Sequence, residues 1–208
     1  MCLGLLFFFL PASRAQDRHS TLVFYGDRDV SDALWPGLFS AIREDMAEED
    51  FGAAGRSIDH DPRLMRSEEL YAGEEFGDVI EVRLLGRCDV VQQAYRPLQP
   101  GPLGWVLRVK GRIQPYIYVD CTRLAQTLNA TTLGMSDEQR MHAMAQAISH
   151  VLVHEWIHIA TQNAGHTAHG ITEAQLTAAT LVADPDRHAQ VDSDSAPVSY
   201  RGFGSAEK

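Results

Sequence analysis

Basic residues are scarce in this 208-residue chain: 18 Lys and Arg stand against 28 Asp and Glu, a formal net charge of −10. A nucleic-acid-binding protein needs a basic face to meet phosphates, so this balance opposes that class and no nucleic-acid partner is expected. No run of six or more like charges occurs either, and the acidity reads as a solubility feature rather than a partner signal. The apolar run near the N-terminus, Leu3 to Leu10, is far shorter than the roughly 20 residues a membrane-spanning helix requires, so no membrane span is expected. Cysteine is nearly absent, with only Cys2, Cys88 and Cys121, and no internal repeat is visible. Hydrophobic residues at 45% and charged residues at 22% argue against wholesale disorder, and the length suits one domain with a substantial core.

The short apolar run has a use of its own. It is followed by Pro11 and by small residues at Ser13 and Ala15, the pattern read by signal peptidase, with cleavage expected between Ala15 and Gln16. No Lys or Arg precedes the run, a departure from the usual signal peptide. Residues 1–15 are therefore read as a signal peptide, 16–183 as a single domain and 184–208 as a flexible polar tail, in a secreted or periplasmic protein. Removing residues 1–15 leaves Cys88 and Cys121. In an oxidising compartment this pair is a disulfide candidate, and closing a loop of about 30 residues contributes roughly 3 kcal/mol. The alternative is two buried thiols.

The periodicity outlines an α+β chain. Thr21–Gly26 reads as a strand, and Leu34, Leu38, Ile42 and Met46 follow at helical spacing behind Ser31 or Asp32 as N-cap. Residues 50–76 show no clear period and read as a loop. Asp78–Gly86 alternates as a strand, and Gly104–Cys121 reads as two strands joined at Lys110-Gly111-Arg112. Pro115 has no amide proton to donate, which points to an edge strand or a strand start. Ser136 and Gln139 form a capping-box pattern before a long apolar helix. A second helix is expected from Thr172 to about Ala183.

The long helix carries the chemistry, in the sequence His154-Glu155-Trp156-Ile157-His158. Residues i and i+4 lie about 40° apart around a helix and about 6 Å along it, so both imidazoles project from one face. That suits two corners of a tetrahedral zinc site. Glu155, rotated by about 100° from His154, lies beside the metal and can act as general base toward water. The flanking Leu152, Val153, Trp156, Ile157 and Ile159 imply a buried helix. The third ligand requires the chain to fold back, because on a continued helix His166 would lie about 12 Å beyond His158. Gly165 can adopt the left-handed conformation that ends helices, and His166 follows it. His169 and Glu173 are the rivals for that position. His150, one turn before His154, reads as a packing or supporting residue, because the open coordination position belongs to water.

At these residues the chain resembles the zincin metallopeptidases, and within them a metzincin- or matrixin-like group of predicted secreted bacterial proteins. The metzincin pattern H-E-x-x-H-x-x-G-x-x-H is met at His154, Glu155 and His158. Thr161 stands in place of its Gly and Ala164 in place of its third His. The later segment from His166 to Thr172 resembles the H-S-x-x-G-I-M ending of that group, matching at Gly170 and Ile171, with Thr172 replacing Met. The segment Gly111–Cys121 resembles the strand before its zinc helix. The resemblance implies a zincin-like α+β fold: a twisted mixed β-sheet packed against a long active-site helix, with a second C-terminal helix. It further implies Zn2+ held by His154, His158 and His166, and hydrolysis of peptide bonds in a peptide or protein substrate with Glu155 as catalytic base. Residues 113–119 are the candidate edge for an extended substrate, and Tyr116, Tyr118, Tyr200 and His169 are candidates to stabilise the oxyanion. The competing function is a catalytically inactive zinc-binding protein of the same fold acting as an interaction module.

Overall fold

The structure, a computed structural model, describes residues 19–27, 30–48, 58–91, 101–166 and 176–182. The expected signal peptide and polar tail lie outside the described residues. Five strands form one sheet in the order β2-β1-β3-β5-β4. They are β1 (Thr21–Gly26), β2 (Arg63–Arg66), β3 (Val79–Leu85), β4 (Gly104–Val109) and β5 (Arg112–Asp120). The β2-β1-β3-β5 ladder is parallel and β4 is antiparallel to β5, so the sheet is mixed. The helices are α1 (Leu34–Glu48), α2 (Cys121–Leu128), α3 (Asp137–Thr161) and the short α4 (Ala178–Leu181).

Alternation along the strands decides which face is covered. Leu22, Phe24, Ile80, Val82, Leu84, Ile117 and Val119 are buried and join one core with Leu34, Leu38 and Ile42 of α1 and Ile148, Leu152 and Val153 of α3. The long helix α3 starts where its sequence predicts: the Ser136 hydroxyl accepts the Gln139 amide, and the Gln139 side chain accepts the Ser136 amide. At the start of α1, Ser31 opens a turn, its hydroxyl accepting from the Ala33 amide and its carbonyl from the Leu34 amide. No helix among the described residues is long and apolar enough to cross a membrane.

Three expectations need correction, and one helix, α2, was not expected. The loop expected over 50–76 contains β2 and a single 3-10 turn, Ser67–Glu69. β2 is four residues with an Arg at each end, too short and too polar to show a period. α2 follows directly from β5, capped by the Asp120 carboxylate on the Arg123 amide. Within the helix expected from Thr172 to about Ala183, Leu176 and Thr177 are not helical: α4 is capped by Thr177 and begins at Ala178, while residues 172–175 and 183 lie outside the described residues. Finally, residues 113–119 belong to an interior strand, flanked by β3 and β4. Pro115 is tolerated there because the β4–β5 register shifts between Val106 and Arg108, while pairing to β3 is recorded from Tyr116 onward. Among the described residues, the open edge on this side of the sheet is β4.

Cys88, just beyond β3, and Cys121, the first residue of α2, form a disulfide with a Cα–Cα distance of 4.7 Å. It ties together the C-terminal ends of β3 and β5, and both cysteines are buried.

Candidate metal centre

His154 and His158 project from one face of α3 near its C-terminal end, each only 6% exposed. Their neighbours Val151, Leu152, Val153, Trp156 and Ile157 bury this stretch, so the two imidazoles sit in an apolar wall. The helix stops at Thr161, and the next residue, Gln162, takes the left-handed conformation with φ 53°. The expectation that Gly165 plays this part is thus corrected. Gln162 is held there by its side chain: Nε2 donates to the Ile113 carbonyl at 3.0 Å and to the Ile159 carbonyl at 2.8 Å, and Oε1 accepts the Ile113 amide at 3.1 Å. The amide side chain satisfies a helix-end carbonyl and two strand groups together, which fixes where the chain turns.

Asn163 completes the turn. Its side-chain oxygen accepts the Gly165 amide at 2.8 Å, and its backbone carbonyl lies 2.6 Å from His158 Nδ1. A carbonyl oxygen only accepts, so Nδ1 carries the proton and the lone pair of His158 resides on Nε2. Burial pushes the His158 imidazole pKa down, against the opposing pull of that hydrogen bond. With the proton on Nδ1, Nε2 is the atom that can offer its lone pair to a metal ion.

The fold-back brings His166 onto the pair. Ring centroids are separated by 4.7 Å for His154–His158, 5.2 Å for His154–His166 and 5.0 Å for His158–His166, a nearly equilateral triangle. One nitrogen from each ring lies within 4.8 Å of the other two, and Nε2 of His154 is 3.1 Å from Nε2 of His158. Tetrahedral zinc with Zn–N bonds of 2.0–2.1 Å sets its nitrogens about 3.4 Å apart. The His154–His158 pair is close to this spacing, and with His166 within 4.8 Å the three imidazoles, one with its tautomer fixed by a carbonyl, could hold a single metal ion. His154 and His158 are buried whereas His166 is exposed, so the triangle opens to solvent on the His166 side.

Glu155 is 8% exposed, and burial raises its carboxyl pKa to about 7. Its neighbour is the start of β4: a Cβ on Gly104 would lie 2.4 Å from Val151 Cγ1 and 3.5 Å from Glu155 Cγ. Glycine is what lets the edge strand approach the helix at the carboxylate.

No protein-family model, no curated protein and no solved structure matches this chain.

The other candidates separate cleanly. His150 points away from the cluster, with Nδ1 3.1 Å from the Leu181 carbonyl and Nε2 3.3 Å from Asp45 Oδ1, so it fastens α3 to α4 and α1. Tyr118 stacks on Trp105 at 5.3 Å and pairs in register with Arg83, and Tyr116 pairs with Glu81. These positions alternate with the buried Ile117 and Val119, so both tyrosines lie on the sheet face away from α3 and neither reaches the histidines. His169, Glu173 and Tyr200 lie outside the described residues. Sequence reasoning missed Gln162, Asn163 and Gly104. Only the turn-forming Asn-Ala-Gly after the helix hinted at Asn163; the other two act through partners distant in sequence.

Proposed function

We propose that the protein is a secreted zinc-dependent metallopeptidase of zincin type. The observation that carries this reading is the convergence of three imidazoles with a buried carboxylate one residue after the first of them. An all-nitrogen set with one solvent-facing side suits zinc with a position left open for reaction. His154, His158 and His166 would hold the ion. When bound, zinc supplies a Lewis acid that acidifies water and polarises a carbonyl oxygen.

The chain's own residues supply the rest. Glu155, one residue on from His154, would take a proton from the attacking water and return it to the departing amine. A carboxyl with a pKa near neutrality is well matched to both transfers. The substrate edge is β4, replacing residues 113–119. It has a partner only on its β5 side among the described residues, and it passes Glu155 at Gly104. An extended peptide adding to that edge would be drawn alongside the carboxylate. The disulfide supports an oxidising, extracellular setting.

Two measurements test this. Purified protein should retain close to one equivalent of zinc after mild dialysis; less than about half would count against a tight site. Glu155→Gln should keep the zinc and lower hydrolysis of a denatured protein substrate by about 100-fold or more. Unchanged hydrolysis would remove Glu155 from the mechanism, and zinc without hydrolysis in the wild type would favour the inactive binding module.

A further inference from the structure

From Val90 to Val119 the sequence contains no Asp or Glu and four Arg or Lys, in a chain whose net charge is −10. Three of these cations, Arg108, Lys110 and Arg112, crowd the tip of the β4–β5 hairpin, and all three are exposed. None of them forms an ion pair with any described residue, although Arg63, Arg66, Arg83, Arg87, Arg123 and Arg140 all do.

The tip is fastened to the candidate metal centre. Arg108 pairs in register with Ile113, whose amide and carbonyl are both bound by the Gln162 side chain. The next residue, Asn163, holds His158 through its carbonyl. β4 therefore runs alongside α3, with Gly104 beside Val151 and Glu155 and Arg108 beside the helix end. Gly104, Val106 and Arg108 alternate onto the face that meets α3, whereas Trp105 and Leu107 take the other.

We propose that the β4–β5 hairpin tip, led by Arg108, is a specificity element that selects peptide substrates carrying a carboxylate side chain near the scissile bond. The proposal rests on the metallopeptidase reading of the same site. An exposed guanidinium with no ion-pair partner among the described residues gives up no such contact when it meets a substrate carboxylate. Lys110 and Arg112 add to the positive field at the tip, in a molecule whose overall charge would otherwise repel an acidic peptide.

The test uses full-length, zinc-loaded protein and quenched fluorescent peptides of one sequence, with a single Glu or its isostere Gln at each of several positions flanking the cleavage point. At one or more positions the Glu peptide should show kcat/KM about five-fold higher at about 20 mM salt, the ratio falling below about two-fold at 0.5 M. Arg108→Gln should bring the ratio close to one and Arg108→Glu should invert it, with zinc content confirming that both variants are folded. Equal rates at every position would overturn this proposal while leaving the peptidase reading intact. A Glu preference that survives Arg108→Glu would also overturn it. Cleavage of none of the peptides by the zinc-loaded wild type would overturn both.

Discussion

Glu155 is the residue whose environment has the sharpest consequence. Its folded-state pKa, about 7, lies above the unfolded value of 4.5 because burial disfavours the charged form. Between those values the folded, metal-free protein holds a proton that the unfolded chain has released. The stability contribution is therefore fully present below pH 4.5 and is lost as pH rises through 7. The shift corresponds to about 3 kcal/mol. In chelator-treated protein, wild type should lose stability relative to Glu155→Gln by that order between pH 5 and 8, read from denaturant midpoints. A difference that stays constant across this range would show that the carboxyl is not desolvated. His154, Glu155 and His158 were legible from their spacing alone, because a helix converts i and i+4 into one face. His166 required the chain to reverse, and the sequence revealed that a reversal was needed without revealing how it is made. The answer lies in Gln162, whose left-handed backbone is held by hydrogen bonds to Ile113, 49 residues away.

At the scale of elements, the start of β4 fits tightly against α3. Any side chain at Gly104 meets Val151 Cγ1 at 2.4 Å and the Tyr118 carbonyl at 3.0 Å, neither of which is the free end of a flexible chain. Gly104→Ala should push the edge strand off the helix and destabilise the fold by about 1–3 kcal/mol, measured by chemical denaturation. Hydrolysis should also fall, because the strand would no longer pass the carboxylate closely. A variant as stable and active as wild type would show that β4 has room to move at this point. The strands β1, β3, β4 and β5 and the helices α1 and α3 were visible as alternation or helical spacing. β2 and α2 were not. β2 is specified by the parallel neighbour it joins, β1, and α2 by the Asp120 cap immediately after a strand. The placement of β5 inside the sheet was also hidden, since Pro115 alone argued for an edge and only the shifted register accommodates it.

For the whole molecule, the mixed sheet and the helices against it share one core, and the disulfide fastens the ends of two neighbouring parallel strands close to the sequence position where β5 becomes α2. Cross-linking across 33 residues restricts the unfolded chain and should contribute about 3 to 4 kcal/mol. Reduction, or replacement of both cysteines by alanine, should lower the denaturant midpoint accordingly while leaving zinc in place, because neither sulfur lies in the histidine cluster. Loss of zinc on reduction would mean that the metal centre depends on the strand ends. β4 lies against α3 at Gly104, and the histidine triangle opens to solvent on the His166 side. The central claim, that His154, His158 and His166 together hold zinc, is tested most directly by anomalous diffraction at the zinc edge. One peak bonded to a nitrogen of each of these three imidazoles is the predicted result. No peak, or a peak whose third protein ligand is His169 or Glu173 in place of His166, would contradict it.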